Sequence, residues 1–158
     1  MYCSTHPPSS YIRKYGSQLL PGWDLPIASV LIVIQPCPAE FVERTPENEQ
    51  FKSELRDRFL TFGCQIAREL QKLGYLADLF DPSSGLPLMS PAGQRRLDDV
   101  AVIQSVLGYE TSDRSGCCVL VHPTLGTAIY PSTLASSALP AALKLVVDKI
   151  LINSGLSI

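Results

Sequence analysis

The sequence predicts one mixed domain of strands and helices in the order β, α, β, α, β, β, α, without an internal repeat. An apolar stripe with helical spacing, about seven turns long, occupies the middle of the chain. Short runs rich in β-branched residues, bounded by Pro and Gly, lie on either side of it. At 158 residues and 46% hydrophobic, the chain is long enough to bury one core and too short for two.

The first elements are an irregular arm and a buried strand. Residues 1–26 contain four prolines and show no apolar periodicity, so we expect an irregular N-terminal arm before a single domain over 27–158. Ile27–Ile34 is almost continuously apolar, which indicates a strand covered on both faces. Pro36 and Pro38 end this strand, because proline donates no ladder hydrogen bond.

The long helix is the best-defined element. Thr45 is placed as its N-cap with Pro46 at the first helical position, and Gly74 can adopt the left-handed conformation that ends a helix. Successive residues of the stripe are 4, 4, 3, 4, 4 and 3 positions apart, as an α-helix requires: Phe51, Leu55, Phe59, Phe62, Ile66, Leu70 and Leu73.

A second strand, Tyr75–Phe80, ends in a cluster of turn-forming residues. In the sequence Asp81-Pro82-Ser83-Ser84-Gly85 we expect the Asp81 side chain to bond the backbone two residues on. The functional alternative is that Asp81, Ser83, Ser84 and Gly85 form the edge that meets a partner or a ligand.

The remaining elements follow from local signals. Ser90-Pro91 predicts the start of a second helix that runs to Leu107. Cys117–His122 and Thr127–Tyr130 predict a hairpin, and Pro140–Ile152 predicts a last helix.

Composition excludes several classes of function. The 13 basic and 15 acidic residues give a net charge of -2 with no run of like charge, which argues against nucleic-acid and anionic-membrane binding. Five cysteines without a CxxC pair, and no secretory signal, indicate a reducing, cytoplasmic setting. Only two histidines, His6 and His122, accompany them, so a resident zinc site has little support.

The sequence Ser115-Gly116-Cys117-Cys118 places two thiols at the start of a strand, beside the flexible Gly116. Alternation along the strand puts Cys117 and Cys118 on opposite faces. His122 shares the face of Cys118 at roughly 13 Å, whereas a general base must lie within about 3.2 Å, so a thiol hydrolase is disfavoured. We expect His122 to bond the backbone at the strand end, the alternative being that it orients a thiol or a partner.

Three interpretations of the thiol pair remain open on these grounds. Both cysteines can be packing residues, since most free cysteines are buried and inert. They can form a strained vicinal disulfide in a redox sensor. One of them can face outward as a soft ligand for a transition metal that another molecule brings.

Five fragments, in this order, resemble the C-terminal domain of the methylmalonic aciduria and homocystinuria type D protein family (MMADHC, CblD), a family of cobalamin-trafficking proteins. The resemblance extends more weakly back to about Leu20 and fades after Ala135. The fragments are Gly74-Tyr75-Leu76-Ala77-Asp78, Asp81-Pro82-Ser83-Ser84-Gly85-Leu86, Leu107-Gly108-Tyr109, Gly116-Cys117-Cys118 and Gly126-Thr127.

The resemblance implies an α+β fold with a mainly antiparallel sheet and packed helices, similar to a nitroreductase-like scaffold without flavin. Strand, helix, strand would otherwise predict a parallel crossover. The resemblance also implies that the protein is an adaptor and not an enzyme. Such an adaptor binds no cofactor alone and contacts cobalamin only in complex with an MMACHC-like cobalamin-processing protein.

In that complex the resemblance assigns Cys117 as the cobalt ligand and Cys118 as its neighbour packed on the opposite face. The resemblance further implies that cobalamin then passes to methionine synthase or methylmalonyl-CoA mutase. The N-terminal extension is short, so we expect the cytoplasmic rather than the mitochondrial branch. A homodimer, a flavin-dependent reductase and a thiol redox sensor are the alternatives that stay open.

Overall fold

A computed structural model describes residues 1–38, 45–114 and 117–154. Its elements, in chain order, are β1 (Tyr2–His6), α1 (Ser10–Leu19), β2 (Ser29–Pro36), α2 (Pro46–Lys72), β3 (Ala77–Leu79), α3 (Asp99–Leu107), β4 (Glu110–Arg114), β5 (Cys117–Val121), β6 (Ile129–Ser136) and α4 (Pro140–Ser154).

The main sheet has four strands in the order β1-β2-β6-β3, and every pairing in it is antiparallel. The predicted α+β class with an antiparallel sheet is therefore confirmed. Because β2 and β3 both pair with β6, they run in the same direction with β6 between them. The β2-α2-β3 connection is thus a split crossover, which reconciles the strand, helix, strand order with antiparallel ladders.

Strand β2 is the centre of the core, and its residues Ser29–Gln35 are all buried. Leu31 and Val33 pack with α2 and α4 on one side of the sheet, which we call the α2/α4 face. Val30 packs with α1 and α3 on the other side, the α1/α3 face, and Ile32 packs there with α3 and β5. The prediction that this strand is covered on both faces is confirmed.

Helix α2 has the predicted ends and buries five of the seven residues of the predicted stripe, whereas Phe51 is half-buried and Leu73 is exposed. The Thr45 side chain accepts a hydrogen bond from the Asn48 N–H at 3.2 Å, as an N-cap does. Five stripe residues are buried against the sheet: Leu55, Phe59, Phe62, Ile66 and Leu70. Each such side chain contributes about 1.5–3 kcal/mol when fully buried, so this stripe holds α2 on the sheet.

Residues 1–26 do not form an irregular arm, and this prediction is wrong. Strand β1 pairs with β2 in register from Tyr2 to His6. Ser9 caps α1 through a hydrogen bond from the Ile12 N–H at 3.3 Å, so the two preceding prolines lie outside the helix and do not break it. Ile12 and Leu19 of α1 are buried, which joins this segment to the α1/α3 face.

The start of α3 and the pairing of β5 also differ from the prediction. Helix α3 begins at Asp99 with Asp98 as its N-cap, not at Ser90, because the Ser90 N–H donates to the carboxylate of Asp78 at 2.6 Å. Strand β5 pairs with β4 in a separate two-stranded sheet, whereas β6 joins the main sheet. Of the predicted hairpin, the described residues retain a single bridge between His122 and Gly126.

Candidate functional site

The β4–β5 hairpin carries the thiol pair. Asp113 of β4 lies opposite Cys118 of β5 in the antiparallel ladder. Leu120 is buried and packs in one cluster with Ile103 of α3 and Ile32 of β2. A two-stranded hairpin is marginally stable alone, so this apolar contact is what attaches it to the α1/α3 face.

Cys118 is a free, exposed thiol. It shares a strand face with Leu120 but lies beyond that anchoring contact. The expectation that Cys118 packs against the domain is therefore wrong. Gly116 and the side chain of Cys117 lie outside the described residues, so the assignment of the cobalt ligand to Cys117 stays a prediction.

The other described cysteines are poor candidates for a ligand thiolate. Cys3, Cys37 and Cys64 are all half-buried free thiols. Burial raises the pKa of Cys3 to about 11, with a small opposing effect of the N-terminal ammonium, and raises the pKa of Cys37 to about 11. Burial also raises the pKa of Cys64, a residue of α2 that packs against the core. These thiols stay protonated at neutral pH.

His122 is held by the backbone of the loop that follows β5, as predicted. Its Nδ1 accepts hydrogen bonds from the N–H groups of Thr124 and Leu125, each at 3.2 Å. The ring lies edge-on to Tyr109, with centroids 5.3 Å apart, and 6.1 Å from the ring of Tyr2. With Nδ1 occupied and the strand spacing intact, His122 is not placed to act as a base for Cys118.

The Asp81–Gly85 turn has the predicted internal bonds. The Asp81 carboxylate accepts hydrogen bonds from the Ser83 N–H at 3.0 Å and the Ser83 hydroxyl at 2.9 Å. The Ser84 hydroxyl accepts from the Leu86 N–H at 3.3 Å. The structural interpretation of this turn is confirmed, while a contact with a partner or ligand stays a prediction.

A bidentate ion pair, which the sequence did not reveal, ties the turn to α2. The Arg56 guanidinium donates to the two carboxylate oxygens of Asp81 at 2.7 and 2.8 Å. This interaction holds the pKa of Asp81 well below its usual range, with the Ser83 hydrogen bonds adding to it and partial burial opposing it. Both turn and helix are therefore oriented by one charged, two-point contact.

Gly85 docks the turn against the segment before α3. Its carbonyl accepts from the Leu97 N–H at 2.8 Å, and its φ is +69°. A Cβ atom at this position would collide with the Leu97 carbonyl oxygen. Glycine is required here on both grounds, the left-handed backbone and the close approach.

A cleft of about 420 Å³ lies between this turn, the start of α3 and Tyr130. It contains Asp99, whose carboxylate accepts a hydrogen bond from the Thr133 hydroxyl at 2.6 Å. Removal from water raises the pKa of Asp99 to about 7, against the effect of the Thr133 bond. Burial, and secondarily the charge of Asp99, raises the pKa of Tyr130. Sequence reasoning missed Asp99 because the helix was expected to begin earlier.

The structure groups the predicted site residues into two places. Ser83, Ser84 and Gly85 line the cleft, whereas Cys118 lies on β5 and His122 directly follows that strand. Val100 of α3 lines the cleft and packs in the same cluster as Leu120 of β5, so α3 lies between the cleft and the β4–β5 hairpin. Within residues 1–38, 45–114 and 117–154, no hydrogen bond or ion pair joins the turn to Cys118 or His122.

The described part of the chain contains no group of three or more His, Cys, Asp or Glu residues placed to hold a metal ion. Among the same residues, no helix has the length and apolar character needed to cross a bilayer.

The family model for the methylmalonic aciduria and homocystinuria type D protein matches residues 2–150. This chain belongs to that family. The MMADHC match reaches past both limits of the resemblance found from residue 20 to 135 and includes β1, α1 and most of α4.

Curated relatives agree with the family. The human "Cobalamin trafficking protein CblD" is 26% identical over 138 residues, which are 87% of this chain and 47% of the human protein. The Gallus gallus protein of the same name is 25% identical, with the same coverage. The Mus musculus protein is 24% identical over 136 residues, 86% of this chain and 46% of the mouse protein. The chain thus spans about half the length of the curated MMADHC relatives that it matches.

Proposed function

We propose that this chain is a non-enzymatic adaptor in cobalamin trafficking. It binds a cobalamin-loaded, MMACHC-like protein and offers the Cys117 thiolate as a ligand to the cobalt of the cargo. Membership of the MMADHC family carries the proposal, because its curated relatives are named cobalamin trafficking proteins. The hairpin supports it, since the adjacent Cys118 is exposed and another protein can reach this strand without unfolding the domain.

The chemistry needs no base from this chain. A metal ion that coordinates a thiol lowers its pKa and displaces the proton, and sulfur is a suitable ligand for a transition metal such as cobalt. This fits a site in which His122 is engaged by the backbone and neither β4 nor β5 contains a histidine. Cys118 then serves as the neighbouring thiol rather than the first ligand.

Visible absorption of cobalamin tests the ligand directly. The full chain is mixed with the cobalamin-loaded MMACHC-like protein, and the parent should shift the cobalamin spectrum. Cys117→Ser should abolish that shift, and Cys118→Ser should retain it, with circular dichroism and thermal melts showing that both variants fold. A loss confined to Cys118→Ser would move the ligand by one residue. If both variants shift the spectrum like the parent, thiolate ligation is refuted.

Binding is measured separately, so that docking and ligation are not confused. Complex formation between the chain and its MMACHC-like partner is followed by size-exclusion chromatography, with Cys117→Ser expected to retain it. Failure of the parent chain to bind this partner would refute the adaptor. Transfer to methionine synthase is then followed by the amount of cobalamin that this enzyme retains.

Two measurements separate this function from the alternatives. We propose a scaffold that binds no flavin, so FMN should leave the melting temperature unchanged, and a yellow protein stabilised by FMN would instead support a reductase. A reversible loss of about 2 Da on mild oxidation, abolished by Cys118→Ser, would support a redox sensor with a vicinal disulfide.

A further inference from the structure

A groove of about 750 Å³ runs between the outer sides of α2 and α4, on the α2/α4 face of the domain. The side chains that matter for its chemistry are Arg68, Glu69, Lys72 and Leu73 from α2 and its C-cap, and Leu145 and Lys149 from α4. The groove extends from Gln65 of α2 to the C-cap residue Leu73, eight positions further on and therefore about 12 Å away. This length accommodates about two turns of another helix.

The groove contains apolar side chains that the described part of the chain leaves exposed. Leu73 is 64% exposed and Leu145 is 72% exposed. Five α4 residues are buried on the inner side: Leu143, Val146, Val147, Ile150 and Leu151. Ile152, 79% exposed, lies two turns beyond Leu145 on the same outer side. The outer side of α4 thus combines exposed apolar side chains with charged ones, which is typical of a surface that binds another protein.

The charge of the groove is opposite to that of the whole chain. Three cations against Glu69 leave a local net charge of +2, whereas the chain carries -2. Lys72 pairs with Glu69 at 2.6 Å, and this hydrogen bond, more than nearby Lys149, lowers the pKa of Glu69. Within the described residues, Arg68 and Lys149 form no ion pair. Two cations therefore flank the exposed leucines without an anion of their own.

We propose that this groove docks an amphipathic helix of another protein, with an apolar stripe flanked by Asp or Glu. The stripe covers Leu73 and Leu145, and its acids pair with Arg68 and Lys149. A second copy of this chain fits less well, because a two-fold axis through the groove would bring the same cations face to face. The sequence at 155–158, Gly-Leu-Ser-Ile, contains no acid to complement them.

This surface extends the proposed function and does not depend on it. The β4–β5 hairpin is attached to the α1/α3 face through Leu120, and the groove lies on the opposite side of the sheet. Both can be occupied at the same time. The chain would then join a cobalamin-carrying protein on one side to an acidic helix on the other.

The test uses the full chain and a labelled helical peptide of about five turns, with leucines spaced three and four apart and glutamates on the flanks. Fluorescence anisotropy measures its affinity, beside a peptide in which every Glu is replaced by Lys. We expect the parent to prefer the acidic peptide. Leu145→Ser should weaken this binding roughly tenfold or more, and the Arg68→Glu, Lys149→Glu double variant should reverse the preference for the two peptides.

Matched controls lie outside the groove. Leu88, 44% exposed, serves as Leu88→Ser, and Arg58, an exposed α2 residue, serves as Arg58→Glu. Neither should change the affinity for the acidic peptide. All groove variants should retain the cobalamin spectral shift, whereas Cys117→Ser should retain peptide binding, so the two proposals fail independently.

Four results would overturn the docking proposal. The first is equal binding of both peptides by the parent. The second is a dimer in light scattering that Leu145→Ser dissociates, which assigns the groove to a second copy. The third is tight binding to vesicles containing phosphatidylserine without binding of the acidic peptide. The fourth is peptide binding that appears only after residues 155–158 are deleted, which assigns the groove to the chain's own tail.

Discussion

Replacement of Asp78 by Asn tests the contact that organises the segment after β3. The Asp78 side chain is fully buried. Its carboxylate accepts backbone N–H bonds from Leu79, Leu88, Met89 and Ser90 at 2.6–3.1 Å. These bonds connect β3 to the chain that leaves the 81–85 turn, so the substitution should destabilise both.

The loss of folding stability expected for Asp78→Asn follows from the hydrogen bonds that Asn cannot accept. Asn keeps one acceptor oxygen, which can take the place of the Asp78 oxygen that accepts from the N–H groups of Leu79 and Leu88. The NH₂ group of Asn then faces the Ser90 N–H, so that two hydrogen-bond donors point at each other in the protein interior. A buried donor left without an acceptor costs about 1–3 kcal/mol, and loss of charge from the remaining bonds adds about 1 kcal/mol. We expect Asp78→Asn to cost about 2–4 kcal/mol, or about 4–16 °C in Tm.

Urea denaturation at pH 7 measures this cost, with amide hydrogen exchange at Ser90 as a local readout. The matched control is Asp148→Asn, which removes an exposed α4 ion pair with Lys144 at 2.6 Å. That control should cost about 0.5 kcal/mol or less. If Asp78→Asn costs no more than Asp148→Asn, or if Ser90 exchange is unchanged, the role given to Asp78 is incorrect.

Three further predictions concern the turn and the cleft. The bond to Arg56 lowers the pKa of Asp81, so the ion pair stabilises the fold fully above about pH 4. This stabilisation is lost as the pH falls further and Asp81 becomes protonated. Arg56→Met should therefore cost about 1–2 kcal/mol at pH 7 in denaturant titrations and less in acid, and a pH-independent cost would contradict the pairing. Burial raises the pKa of Asp99 to about 7, so the folded state binds its proton more tightly than the unfolded state, and parent stability falls between about pH 4 and 7. In thermal melts, the stability of Asp99→Asn minus that of the parent should be about 2 kcal/mol larger at pH 8 than at pH 5. The same difference at both pH values would argue against burial of the charge. Gly85→Ala should cost about 2 kcal/mol more than Gly108→Ala, because both have positive φ but only the first meets a backbone oxygen, and equal costs would exclude the collision.

Predictions that rest on short sequence distances agree with the structure. The α2 cap is a contact between Thr45 and Asn48, three residues apart. The bond from Ser83 to Asp81 spans two residues. His122 is held by N–H groups two and three residues further on. In each case the residue types and their spacing already contain both partners of the interaction.

Predictions that required a distant partner were less successful. Strand β1 has a polar sequence, and it is recognisable as a strand only beside β2, some thirty residues away. The sequence predicts that β5 pairs with the next extended segment along the chain, whereas its partner in the structure is β4. Asp99 and Thr133 are 34 positions apart, so neither the burial of this acid nor its raised pKa could be inferred from its neighbours.

The candidate site shows the same division. The sequence alone reveals the thiol pair, the turn and the family resemblance, because each consists of adjacent residues. The exposure of Cys118 depends on where Leu120 meets α3, and the groove beside α4 depends on how two helices lie on one face of the sheet. Local backbone preferences act over about four residues, whereas burial and charge balance arise only when distant segments pack.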